Sequence, residues 1–347
     1  MTDQEYKEMI HNIVLPTTLS PEERVKRYQP FKDYLKTATP KKLYRFRSCK
    51  ERTIDEFDQN KLGFSPAYIM NDDFDGLLYF DKEHIRNTLV DTLTPQKVGS
   101  LFEIISQGDI PAEIKDNIPP NIIKYCIDTF SQYTPVMTNT LINQFLDFAT
   151  NDYDSRMYFL SQVTQSQKVV CLSPDVNSPA MWGYYAEDGK GFALSYDVRE
   201  PDSAYYCPAP VIYDDERLDA TEYATWLFQQ QIMKSILIGA NAPDLYKSLQ
   251  QLIPCPDDFM STKVLMHKSI KWSHEKEWRL VYYERNNLAQ AEFPYIIKQP
   301  TGIYLGRNIS TINEKILRHI AVERNIPVYK MTIREDDSTY NLYPKPI

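Results

Sequence analysis

Glycine is scarce in this chain, at ten residues in 347. Neither GxGxxG nor GxxxxGKS/T occurs, so the backbone cradles that hold dinucleotides and triphosphates are not supported. The five cysteines (Cys49, Cys126, Cys171, Cys207, Cys255) are odd in number, scattered, and never spaced CxxC. That speaks against a disulfide framework or a cysteine zinc site. The five histidines (His11, His84, His267, His274, His319) form neither HxH nor HExxH. No serine sits in GxSxG, which argues against an α/β-hydrolase. No run approaches the ~20 apolar residues of a membrane span, and the charged start Met1–Lys7 has no apolar signal segment. A cytoplasmic protein without a membrane partner is expected. Basic excess is missing too. The net charge of −8 disfavours sequence-independent binding to nucleic acid, although it leaves room for a local basic cleft.

What is present is aromatic. Hydrophobic residues make up 42% and aromatic residues 13%, with 25 tyrosines, enough for a substantial core in one large domain or two. Tyrosine suits half-buried strands, and it equally suits a pocket for a planar ligand.

Residues 1–40 read as a peripheral helical segment, with Ser20-Pro21-Glu22-Glu23 as a helix start. Strands are expected at Leu43–Arg47, 168–173, 191–197, 208–214, 275–284, 302–305 and 328–333. Helices are expected at 53–60, 180–186, 219–253 and 310–325, with an extended stretch at 61–66. Between about 81 and 165, prolines at 95, 111, 119, 120 and 135 break helical patterns into an insertion of four or five helices. The order predicts an α+β fold, a mixed or antiparallel sheet with segregated helices. The core domain would span 41–335, followed by a loosely held polar tail at 336–347.

Four blocks carry candidate chemistry. In Leu43–Arg47, alternation puts Arg45 and Arg47 on one strand face, where two guanidinium forks suit a pyrophosphate or carboxylates. A solvated basic edge strand is the alternative. The loop Asn71-Asp72-Asp73-Phe74-Asp75 resembles a metal loop, but such turns also cap themselves without an ion, and no metal is expected. Trp182 and Tyr185, three apart on a helix, can clamp a flat ring or anchor the helix on the sheet. The densest block is Lys268–Tyr283. Read as a strand from Glu275, it puts Glu275, Glu277, Arg279 and Val281 on one face, roughly 6–7 Å between neighbours. Lys276, Trp278, Leu280 and Tyr282 fall on the other. The charged face is either a solvent-exposed ladder, which would contribute little, or the floor of a site.

Together these blocks resemble a bacterial family, domain of unknown function 2971. That family has a Leu-Tyr-Lys/Arg-Tyr/Phe-Arg opening, a Phe-Asn-Asp-Pro-Phe-Asp loop, a Trp-x-x-Tyr-Ala block running to Gly-Phe, and a Lys-x-x-x-Trp-x-x-Glu-x-Glu-Trp-Arg strand. The corresponding positions are Leu43–Arg47, Met70–Asp75, Trp182–Phe192 and Lys268–Arg279. Met70 and Asp73 depart from the family's Phe and Pro. A looser resemblance, an early-strand Arg with a late-strand Glu-x-Glu, is to the ADP-ribosyltransferases. It implies NAD as the donor substrate. Arg45 or Arg47 would then hold phosphates and Tyr185 or Trp182 would stack, with Arg279 beside them. Glu277 would be catalytic, with Glu275 serving a protein or nucleic-acid acceptor. By analogy the setting would be phage defence or a toxin. The usual Ser-Thr-Ser strand is not evident, and Ser195 is a weak counterpart. The alternatives are a non-catalytic nucleotide or protein sensor, and a metal-dependent nuclease using Asn71, Asp72, Asp75, Glu275 and Glu277.

Overall fold

The computed structural model describes residues 1–92, 151, 153–199, 208–239, 254–282 and 294–347, together with Lys124, Ile127, Asp128 and Thr140. The middle of the expected helical insertion, 93–150, and the end of the expected 219–253 helix therefore lie largely outside the described residues.

The α+β expectation holds. Strands β1 (Leu43–Arg47), β5 (Phe192–Tyr196), β11 (Gly302–Leu305), β12 (Val328–Thr332) and β13 (Tyr343–Pro346) form one sheet in the order β1-β5-β11-β12-β13. Its pairs are antiparallel except β11 with β12. A parallel pair needs a crossover connection, and helix α9 (Thr311–Glu323), capped by Ser310, supplies it. The second sheet, β3 (Ser65–Pro66), β4 (Lys168–Leu172), β9 (Trp278–Val281) and β6 (Pro208–Pro210), is antiparallel in the order β3-β4-β9-β6. A bridge between Tyr44 and Ser173 joins the two sheets, with backbone bonds of 2.7 and 2.9 Å. That bridge sets β1 beside the end of β4. Two short ladders complete the framework. Strand β2 (Lys61–Gly63) pairs β10 (Tyr295–Ile297), and β7 (Ile212–Asp214) pairs β8 (His267–Ser269).

Three expectations are corrected. Residues 1–40 do form helices, α1 (Asp3–Asn12) and α2 (Pro21–Ala38), the latter with a Ser20/Glu23 capping box. They are not peripheral, because Tyr6, Ile10, Phe31 and Leu35 join the main core with Leu43, Phe192, Trp278 and Ile303. The tail is not loose either, since its β13 pairs with β12. The strand expected from Glu275 starts only at Trp278. Residues Ile270–Glu275 form a 3₁₀ turn, and Lys276 sits in the left-handed region at φ 48°.

The turn into β5 allows no side chain at Gly191. A Cβ there would lie 2.0 Å from the Arg47 carbonyl oxygen and 3.1 Å from Ala186 backbone. Backbone atoms cannot step aside as a side chain tip can, and β1 would have to leave β5. Gly191→Ala should therefore lose about 2 kcal/mol or more in urea unfolding, at the upper end of overpacking costs. A loss below about 0.5 kcal/mol would contradict this reading of the β1–β5 contact.

Candidate functional site

A run of charges is buried where the two sheets meet. Glu275, Glu277 and Arg279 are 2%, 4% and 0% exposed, so the solvent-ladder alternative fails. Their order comes from a fold-back of the chain. Strand β8 carries Lys268, the 3₁₀ turn ends on Glu275, and left-handed Lys276 reverses the backbone before Glu277 and β9. Lys276 itself points out and pairs with Asp175 at 3.2 Å. Trp278 and Leu280 meet the expectation for the opposite face by packing into the main core.

Arg279 spends all five N–H donors inside the protein. Its Nε and Nη2 reach Glu277 at 2.7 and 3.1 Å. Its Nη1 and Nη2 reach the two Asp75 oxygens at 2.5 and 2.7 Å, and Nη1 also reaches the Leu265 carbonyl at 2.6 Å. Lys268 Nζ lies 2.6 Å from Glu275, 3.1 Å from Glu277 and 4.0 Å from Asp75. Three carboxylates thus share two cations. Tyr185 Oη donates to Glu275 Oε1, Ser173 Oγ donates to the Glu275 carbonyl at 2.7 Å, and the Glu277 N–H is received by Tyr213 Oη at 2.8 Å.

Environment pushes the two glutamates apart. Burial raises the Glu275 carboxyl, and the nearby Glu277 charge adds to this against the pull of Lys268. Burial would raise Glu277 as well, but Arg279 and Lys268 outweigh it and hold that carboxyl far below the ordinary range. The Tyr185 hydroxyl is pushed up by burial and by its bond to Glu275, which keeps it a donor.

A cavity of about 230 Å³ opens on this network, walled by Arg45, Arg47, Tyr185, Lys268, Glu275 and Glu277. Cys171 and Ser173 of the β4 strand and its end also line it. Arg45 is buried and donates one N–H, from Nη1, to the Gly63 carbonyl. Arg47 donates to Glu56 at 2.6 Å. Two guanidiniums therefore face one local carboxylate, leaving positive charge in excess. Burial and the neighbouring Arg47 push Arg45 down to about 9, still cationic at neutral pH. The cavity is bipolar, with a surplus cation at the β1 wall and a surplus carboxylate at the β8–β9 wall.

Four residues singled out in the sequence, Trp182, Arg279, Ser195 and Asp72, fall outside the cavity lining. Trp182 turns inward, its Nε1 bonded to the Val176 carbonyl at 2.7 Å and its ring edge-on to Phe46 at 5.2 Å. It anchors its helix (Pro179–Tyr185, α6) rather than sharing a ligand face with Tyr185. Arg279 lies behind the two glutamates as their clamp. Ser195 bonds to Thr301 and the Gly302 carbonyl and is equally remote from the lining. Of the nuclease set, Asn71, Asp75, Glu275 and Glu277 line this cavity. Asp75 meets Glu277 through Arg279 and through Lys268, which also stands between Glu275 and Glu277, so the protein's own cations occupy the space between these acids. Asp72 lines a different cavity. Among the described residues no group of three or more His, Cys, Asp or Glu is arranged to hold a metal ion.

Lys268, Tyr213 and Ser173 were not among the sequence candidates. Lys268 precedes Glu277 by nine positions, and only the β8 fold-back joins them. Ser173 directly follows β4, in Cys171-Leu172-Ser173.

Residues 181–280 match the family model described as a protein of unknown function, DUF2971. The resemblance read from the motifs is thereby established over that segment, which contains the Trp182–Phe192 and Lys268–Arg279 blocks. No curated protein and no solved structure matches the chain. Among the described residues no helix is long and apolar enough to cross a membrane.

Removing one partner of a buried ion network leaves its charges uncompensated, at a cost of about 3–5 kcal/mol. Arg279→Met should destabilise the protein by that amount at pH 7, measured by urea unfolding. The deficit should shrink as the pH is lowered and Asp75 and Glu277 become protonated. A loss under about 1 kcal/mol would mean the clamp is not holding these acids.

Proposed function

We propose that the bipolar cavity binds a nucleotide and that the protein is a nucleotide-using transferase of the ADP-ribosyltransferase kind, with NAD as donor. One observation carries the reading: Arg45, Arg47, Tyr185, Glu275 and Glu277, drawn from distant parts of the chain, line a single cavity. The surplus guanidinium charge suits a phosphate, and the carboxylate wall suits ribose hydroxyls. Tyr185 offers its ring to the nicotinamide.

The divided glutamates supply two roles. In the reaction the bond from ribose C1′ to the nicotinamide nitrogen breaks, and nicotinamide leaves with the electron pair. Glu277, kept ionised by Arg279 and Lys268, stabilises the positive charge that develops on the ribose. An acceptor oxygen or nitrogen then forms the new bond to C1′, and its proton goes to Glu275, whose raised affinity for a proton suits a general base. The acceptor would be a protein or nucleic acid, and the setting a cytoplasmic toxin or phage-defence role. A second reading, a sensor that binds the nucleotide without cleaving it, is favoured by one fact. The side-chain oxygens of both glutamates already accept hydrogen bonds from Tyr185, Lys268 or Arg279.

The test is release of free nicotinamide from NAD by the purified protein, with and without cell lysate as acceptor source. Wild type should turn NAD over, Glu277→Gln should lose at least about 100-fold, and Arg45→Met should raise KM more than it lowers kcat. Glu275→Gln should still release nicotinamide but lose transfer. Transfer by wild type should fall with decreasing pH before NAD cleavage does, because Glu275 takes up a proton at higher pH than Glu277. Saturable NAD binding with no nicotinamide release would favour the sensor. Absence of both binding and release would defeat the nucleotide reading altogether.

A further inference from the structure

A second cavity, of about 190 Å³, lies on the far side of the loop that carries Asp75 and shares Lys268 with the first. Its lining holds four acids, Asp72, Asp214, Asp215 and Glu216, and two cations, Arg217 and Lys268. Asp72 is only 7% exposed. Its Oδ1 accepts the Phe74 N–H at 3.0 Å, while Oδ2 is buried with no hydrogen-bond partner. A buried carboxylate oxygen without a donor is costly in a folded protein, and such exceptions mark an absent partner.

Of the cations nearby, Lys268 and Lys7 are each paired with an acid, while Arg217, in the cavity wall itself, lies near Asp72. Lys268 serves Glu275 and Glu277, and Lys7 serves Asp214, whose other oxygen accepts the Asp215 N–H. Arg217 donates to the Leu77 carbonyl at 2.6 Å, with its guanidinium 5.5 Å from the Phe74 and Tyr79 rings. It approaches Asp72 closely enough to be raised by it, yet burial of Arg217 is the larger effect. His267, on the same wall, has both ring nitrogens engaged, by His11 and by the Lys263 carbonyl, and burial pushes it down to about 4, so it is neutral at pH 7. Negative charge is therefore in surplus. The remaining wall is apolar, from Phe74, Leu77, Leu218 and Val264.

We propose that this cavity is a binding site for an alkylammonium group, its ammonium head set against the Asp72 carboxylate and its methylenes lying against Leu77, Leu218 and Val264. The apolar wall favours a chain-borne cation over a bare ion, which would gain nothing from it. A small polyamine and a lysine side chain share this chemistry. The site stands independently of the nucleotide reading, since it uses none of that cavity's ligand-facing groups except the shared Lys268 wall.

Isothermal calorimetry of the full chain at constant ionic strength, without NAD, tests it. The probes are spermidine, Nα-acetyl-lysine amide, magnesium chloride and butanol. One saturable site for either amine is expected, with no comparable binding of magnesium or butanol. A preference between the amines identifies the source. Asp72→Asn should weaken amine binding by about ten-fold or more, and the exposed Glu216→Gln by a few-fold. Should Asp72→Asn not fold, Leu218→Arg places a cation of the chain's own beside the cavity and should abolish binding while Asp72 stays. Absence of amine binding, magnesium binding as tightly as the amines, or unchanged binding in a folded Asp72→Asn or Leu218→Arg protein would each overturn the proposal.

Discussion

The Arg279 guanidinium organises this molecule around itself. Five N–H groups in a rigid plane reach both oxygens of Asp75, both of Glu277 and the carbonyl of Leu265. These belong to three separate segments: the 71–75 loop, the residue just before β9, and the helix Met260–Leu265 that precedes β8. A charge with no exposure to water tolerates such burial only when its partners are complete, because desolvation costs several kcal/mol per ion. Hydrophobic packing around it has many near-equal solutions, but this network has one. The loop, the strand and the helix must therefore meet in a single arrangement. Whether a buried network stabilises more than an apolar substitute would is secondary here, since its effect is to fix where the carboxylates point.

From that fixed arrangement the electrostatics follow. Lys268 and Arg279 together neutralise most of three carboxylates, and their unequal sharing separates the glutamates. Glu277 touches both cations and stays ionised, whereas Glu275 touches one and lies under the Tyr185 hydroxyl. Two like groups two residues apart thus acquire opposite proton affinities without any change of residue type. The 71–75 loop transmits the same constraint to its other side. Asp75 is held by Arg279, and Asp72, three residues earlier, lines the neighbouring cavity with one oxygen lacking a donor.

Much of the framework was legible in the chain. Alternation located β1, and short apolar runs located β4, β5 and β11 to within a residue or two, because β5 and β11 are buried along their whole length and need no polar face. Caps such as Ser20 and Ser310 marked helix starts because free N–H groups demand acceptors there. The strand through Glu275 was misread for a definite reason. A lysine, not glycine or asparagine, takes the left-handed turn at position 276, so no local signal breaks the alternation. The apparent partnership of Trp182 and Tyr185 failed similarly. Three-residue spacing puts two rings on adjoining parts of a helix, but it does not say that the sheet takes one and the cavity the other.

The sequence by itself determined the fold class, most strands and the chemical types available: two arginines on one strand face, an acid pair late in the chain, and an aromatic helix between them. These are local properties, fixed by side-chain chemistry and backbone period. Only the tertiary structure decided that the acids are buried, that Lys268 sits between them, that Arg279 is a clamp behind the cavity, and that one Asp72 oxygen lacks a donor. Charge and proton affinity depend on distance through a low-dielectric interior. Those distances exist only once β8 and β9 have folded back on each other and the Tyr44–Ser173 bridge has joined the sheets.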